Sequence, residues 1–223
     1  MDINEISYLV ANLVSSEHEG EKDIPTELFF FTQKGFSSFD LEEGLQHDEE
    51  EMHFLEQFAR YVTGRKKIHA AVLVTTSLIF SKETQDEFGL EKISAIVKSG
   101  EISKYPELKP VMFVVAENKQ GKKVSVFDIK IDDLGQILSV SESKDQKLNR
   151  NLENVGIPDI GFFGNMSAEF AGDKVVMAQM ELTMKSLFEM VIPYEKEILP
   201  EVAFANIDKI DLASLVEGSD TLQ

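Results

Sequence analysis

Between residues 3 and 16 the apolar side chains Ile6, Leu9, Val10, Leu13 and Val14 fall on one stripe at helical spacing, with Asn4 placed to cap its start. The pattern predicts an amphipathic helix that needs a surface to cover. A polar linker over residues 17–23 follows, with His18 read as solvent-exposed, and Pro25 closes it. "LFFFTQKGFSSFDL" then holds two short aromatic-rich runs around Lys34 and Gly35, the signature of a β-hairpin; a short helix ending at Gly35 is the competing reading. Asp40, with Glu43 three residues on, forms a capping-box-like start for a helix reaching Tyr61 or Val62. Leu41, Leu45, Met52, Leu55, Ala59 and Val62 give that helix its apolar stripe. Gly64 is its natural C-cap, and Arg60, Arg65, Lys66 and Lys67 gather where the helix dipole favours cations.

The period then changes from helical to alternating. "IHAAVLVTTSLIF" (68–80) places Ala70, Val72 and Val74 on one face and His69, Ala71 and Leu73 on the other. Both faces are apolar or small, which predicts a central strand. Leu90, Ile93, Ile96 and Val97, closed by Gly100, mark a short helix. "VMFVVAE" (111–117), "KVSVFDIKI" (123–131) and "QILSVS" (136–141) read as three further strands. The short turns NKQGK and DDLG between them predict antiparallel neighbours. The expected fold is α+β: an antiparallel meander of four to six strands, with the 40–63 and 3–16 helices covering one side. Residues 1–143 form this sheet domain, and residues 144–223 a smaller, mainly helical extension that is either separate or part of the same domain. Within it, residues 174–191 fit a helix and a strand equally by period; length and the Ala, Met, Gln, Glu and Leu content favour the helix.

The order of helix, aromatic hairpin, acidic helix, "RKKIHAAVLV" strand and "YPELKPVMFVVAEN" strand resembles the layout of small bacterial and phage proteins over roughly residues 25–141. The resemblance is one of order, and it implies no activity.

Charge narrows the choice of partners. Residues 1–60 carry 15 acidic and 3 basic side chains, residues 61–150 carry 12 and 15, and residues 151–223 carry 13 and 4, for a net charge of −18. Two acidic flanks around a near-neutral middle repel nucleic acid, which needs clustered Lys and Arg. They suit a basic protein partner, or solubility alone. No apolar run is long enough to span a bilayer, and MDINEISYLV lacks the features of a signal peptide, so a cytoplasmic location is expected, away from membranes. With no cysteine, thiolate metal sites and cysteine nucleophiles are excluded.

Chemical motifs are sparse. "HDEEEMH" (47–53) brackets three glutamates with two histidines, but on a helix positions 47 and 53 sit about 120° apart and about 9 Å along the axis. They cannot share one ion. Glu50 and His53 have the Glu-x-x-His spacing of di-iron bundles, but those use it twice and this chain has it once. The acids read as the wet side of a helix, and neither metal nor cofactor is expected. "GIPDIGFFG" follows a polar connector and contains no Lys or Arg, which makes it a turn-rich loop and a poor phosphate cradle. Asp128, Asp132 and Asp133 have the oxygens for a hard cation but straddle a strand end and a turn, and turn chemistry explains them better. No nucleophile elbow, P-loop or zincin motif is present.

Two hypotheses follow. The first is a non-catalytic intracellular interaction or regulatory module, immunity-like in one version, with a protein partner. Five of the eight Met fall between 166 and 190, and a stripe of Met177, Met180, Met184 and Phe188 is a candidate interface or homodimer contact, core being the plainer reading. The second is a hydrolase or transferase with a pocket assembled from scattered residues, its catalytic candidates being His69, Glu117 and Asp128. A convergent pocket holding two or more of these side chains would favour the enzyme, and a flat acidic patch without a cleft the module.

Overall fold

A computed structural model of the chain describes residues 2–33, 35–40, 49–144, 161–163, 182–186, 188–189 and 196–197. The first helix, α1, is Ile3–Glu17. Its cap is Asp2 and not Asn4: the Glu5 carboxylate accepts the Asp2 backbone N–H at 2.8 Å, and the Asn4 amide steadies the Asp2 carboxylate at 2.8 Å. The hairpin follows as β1, Glu27–Phe31, and β2, Gly35–Asp40. Helix α2 is Glu49–Arg65. Asp40 ends β2, so the helix does not open there, and the last turn runs through Gly64, with Arg65 stacked 3.6 Å from the Tyr61 ring centroid. Strand β3, Ala70–Ile79, leads to α3, Lys82–Phe88, and α4, Leu90–Ser99, which ends on the left-handed Gly100. Ile93 and Ile96 are buried, but Leu90 and Val97 of the anticipated stripe are exposed. Three long strands complete the middle: β4, Lys109–Asn118, β5, Gly121–Ile131, and β6, Ile137–Glu142.

One antiparallel sheet joins them, in the order β6-β5-β4-β3-β1-β2 with the two-residue β7, Lys196–Glu197, at its far edge. The fold is α+β. The meander is confined to β3 through β6, because β1 slots between β2 and β3 and α2 crosses over it. In register, Phe29 faces Val72 and Val72 faces Ala116, so these side chains share one face. Phe30, Ala71 and Glu117 share the other. Every residue of β1 is buried, as a strand covered on both sides must be.

The two long helices take opposite faces, which corrects the expectation that both lie on one side. Ile6, Val10, Ala11, Leu13 and Val14 of α1 close over Phe29, Phe31, Val72, Val74, Met112 and Val114. Leu55, Phe58, Ala59 and Val62 of α2 close over Leu28, Phe30, Ala71, Leu73 and Val115. A sheet apolar on both faces cannot leave one open, and each helix has only one apolar stripe to offer.

Turn chemistry sets the edges. Asp132 accepts from the backbone N–H groups of Leu134 and Gln136, both at 2.8 Å, and Gly135 adopts a positive φ of 79°. A Cβ on Gly135 would lie 2.8 Å from the Gly100 carbonyl oxygen, so this turn needs glycine twice over. Among the described residues no helix is long and apolar enough to cross a membrane.

Candidate functional site

Three side chains of α2, Glu56, Arg60 and Thr63, recur at i, i+4 and i+7 and therefore form one stripe beside the buried Leu55, Ala59 and Val62. Next to that stripe, on β4, lies Glu117. Together the four side chains hold a dipeptide from far along the chain. The Gly161 N–H donates to Glu56 Oε1 at 3.0 Å, and Arg60 Nε donates to the Gly161 carbonyl at 2.9 Å. The Phe162 N–H donates to Glu117 Oε2 at 2.6 Å, and the Thr63 hydroxyl donates to the Phe162 carbonyl at 2.8 Å. Every main-chain polar group of Gly161-Phe162 thus has a side-chain partner. Glu56 and Arg60 are themselves paired at 2.6 Å with only 17% and 21% of their side-chain surface exposed, so each orients the other.

The Phe162 ring is fully buried with Leu55, Phe58, Ala59 and Val115. A Cβ on Gly161 would lie 3.2 Å from Arg60 Nη2, tighter than ordinary contact. The geometry therefore holds the dipeptide's backbone through four polar bonds, with a tight approach at Gly161 and a buried ring at Phe162. We call this the α2–β4 clamp. The interior favours such satisfaction: a buried N–H left without an acceptor costs about 1–3 kcal/mol.

Of the three catalytic candidates, Glu117 pairs in register with Ala71, two residues on from His69, while Asp128 stands apart. His69 is exposed just before β3, its backbone N–H bonded to the Phe31 carbonyl at 2.7 Å. Glu117 belongs to the clamp. Asp128 is exposed on β5 opposite Val111, six residues along β4 from Glu117 and so about 20 Å away. Of the Met stripe, Met184 is buried against the α2 side and Phe188 meets Tyr61 edge to face, with centroids 6.1 Å apart. Residues 182–186 and 188–189 are helical, while Met177 and Met180 lie outside the described residues. So does His47; for Glu50 and His53 the helical backbone is described and the side chains are not.

His18 differs from its expected exposed state. Its Nδ1 lies 2.6 Å from Glu21 Oε2 and its Nε2 3.1 Å from Glu27 Oε1, with 14% of its side chain exposed and Glu27 buried. The hydrogen bond to Glu27, with the second to Glu21, pushes the imidazole pKa up to about 9 against the opposing cost of burial. Both ring nitrogens then donate, and the imidazolium links the end of α1 to the start of β1. Glu17, His18 and Glu27 also bring their ligand-capable atoms within 4.8 Å of one another. A charged ring between carboxylates accounts for that closeness.

The clamp's signal was not local. Glu56 and Arg60 are an i, i+4 pair visible in the sequence, but their target lies about a hundred positions on. Comparison with protein-family models, curated proteins and solved structures finds no match.

Proposed function

We propose that the chain is a non-catalytic interaction module of the cytoplasm, regulatory in role, whose contact surface is the α2–β4 face. The observation that carries this reading is the clamp: four side chains that bond the main chain of one dipeptide, beside the buried position of an aromatic ring. Main-chain bonds combined with one or two side-chain pockets are the means by which binding modules hold extended segments. The wide separation of Asp128 from His69 and Glu117 supports this over a hydrolase or transferase. The net charge of −18 supports a basic protein as the partner, as in an immunity-like inhibitor, because complementary charge speeds encounter and selects against acidic competitors.

Affinity capture from the native cell with the wild type, Arg60→Ala and Thr63→Val tests the reading. The expected result is a basic protein retained by the wild type, released by added salt and lost from both folded variants. Identical capture by all three overturns the assignment of the surface.

A further inference from the structure

The clamp is occupied by the chain's own residues, and the manner of occupancy specifies a ligand. Gly161 and Phe162 contribute no polar side chain; every polar bond they make is through the backbone. Their identities matter only where Gly161 passes within 3.2 Å of Arg60 Nη2, measured from a Cβ it lacks, and where the Phe162 ring fills its fully buried position. A segment from another chain that presents a small residue followed by an aromatic one would meet the same four partners in the same order. We infer that the α2–β4 clamp is a binding site for a Gly-aromatic peptide segment, which the chain's own Gly161-Phe162 fills in cis as an intramolecular competitor.

This inference rests on the α2–β4 face being the interaction surface, and it adds both the ligand class and the regulation. An occupant on the same chain competes without dilution, so a free segment enters only when that occupant is weakened or outmatched. Selectivity follows from the same geometry. Replacing the small residue by a β-branched one drives a side chain into Arg60. Replacing the aromatic one by a charged residue places that charge in an apolar pocket. The ion pair between Glu56 and Arg60 holds both groups ready whichever segment is bound.

The test uses the full chain and a fluorescent peptide of residues 157–166, IPDIGFFGNM. Phe162→Ala in the chain weakens the tethered occupant, and anisotropy then reports binding of the peptide. The expected result is that the Phe162→Ala chain binds at least about tenfold more tightly than the wild type. That binding falls by at least about tenfold when Glu117→Ala is added to the chain, or when the peptide carries Gly161→Val or Phe162→Asp. Equal binding by the two chains, or none by a Phe162→Ala chain that keeps its sheet signal in circular dichroism, overturns the inference and leaves Gly161-Phe162 as ordinary tertiary closure. Should Phe162→Ala fail to fold, the wild type is irradiated with an excess of the peptide carrying benzoylphenylalanine at the position of Phe162. Crosslinks within residues 55–63 and 115–117 support the inference, and their absence overturns it. If the peptide fails while Arg60-dependent partner capture persists, the ligand class is wrong and the interaction surface stands; if both fail, both fall.

Discussion

The two faces of the sheet are closed by different physics. On one, α1 lays a continuous apolar stripe over Phe29, Val72, Val74 and Val114, with the hydrophobic effect as the main adhesive. On the other, α2 covers Leu28, Phe30, Ala71 and Leu73, but the seal is finished by Phe162 and Met184 from the last third of the chain and fixed by four directional hydrogen bonds. Apolar closure is tolerant of detail and intolerant of charge. Polar closure is the reverse, since each bond depends on one atom at one position and can be removed singly. Both faces are apolar cores, and the α2 face adds four directional bonds to a distant dipeptide.

The largest expected effect breaks the first half of that comparison. Val14 is fully buried against the sheet, and Val14→Asp should destabilise by about 3–5 kcal/mol, a large part of the stability of an ordinary domain. Urea denaturation measures it. A Val14→Asp protein with the urea midpoint of the wild type would mean that α1 is an accessory cover and that the contrast between the faces is mistaken.

A smaller and more local effect sharpens the second half. Glu117→Ala removes the acceptor of the buried Phe162 N–H and should cost about 1–3 kcal/mol. Glu117→Gln keeps an oxygen in place and should recover part of that loss. Native-state amide exchange should show faster exchange in α2 and at Phe162, with protection in α1 and β3 unchanged. Uniform loosening of both faces would show that the contact is not separable from the core.

The smallest effect concerns the link between α1 and β1. The His18 pKa is raised to about 9 in the folded chain against 6.5 when unperturbed, so the folded state binds the proton more tightly. The resulting stability is therefore fully present below pH 6.5 and is lost as pH rises through 9. Partial solvent access limits it to about 1–2 kcal/mol. Urea midpoints measured from pH 6 to 10 should fall for the wild type, and this component of the fall should vanish in His18→Gln. A wild type and variant with parallel profiles would place the ion cluster outside the energetics of either face.

What the amino-acid sequence determined by itself was local. The stripe Ile6, Val10, Leu13 and Val14 made α1 legible because helical period and burial are the same statement read along one short segment. Alternation through Ala70–Val74, the aromatic runs around Gly35 and the Asp132 turn were legible for the same reason: period and turn chemistry act within a few residues. The tertiary structure decided everything that joins distant positions. That α1 and α2 take opposite faces depends on β1 entering between β2 and β3, and no residue in α1 or α2 encodes that order. His18 looked like a linker residue until the turn after α1 brought it onto Glu27. Arg60 read only as one of the cations at the end of its helix, and Gly161-Phe162 as loop, because a hydrogen bond from side chain to backbone leaves no pattern in the sequence of either partner. Backbone groups are the same at every position, so only the fold could say which ones α2 and β4 would hold.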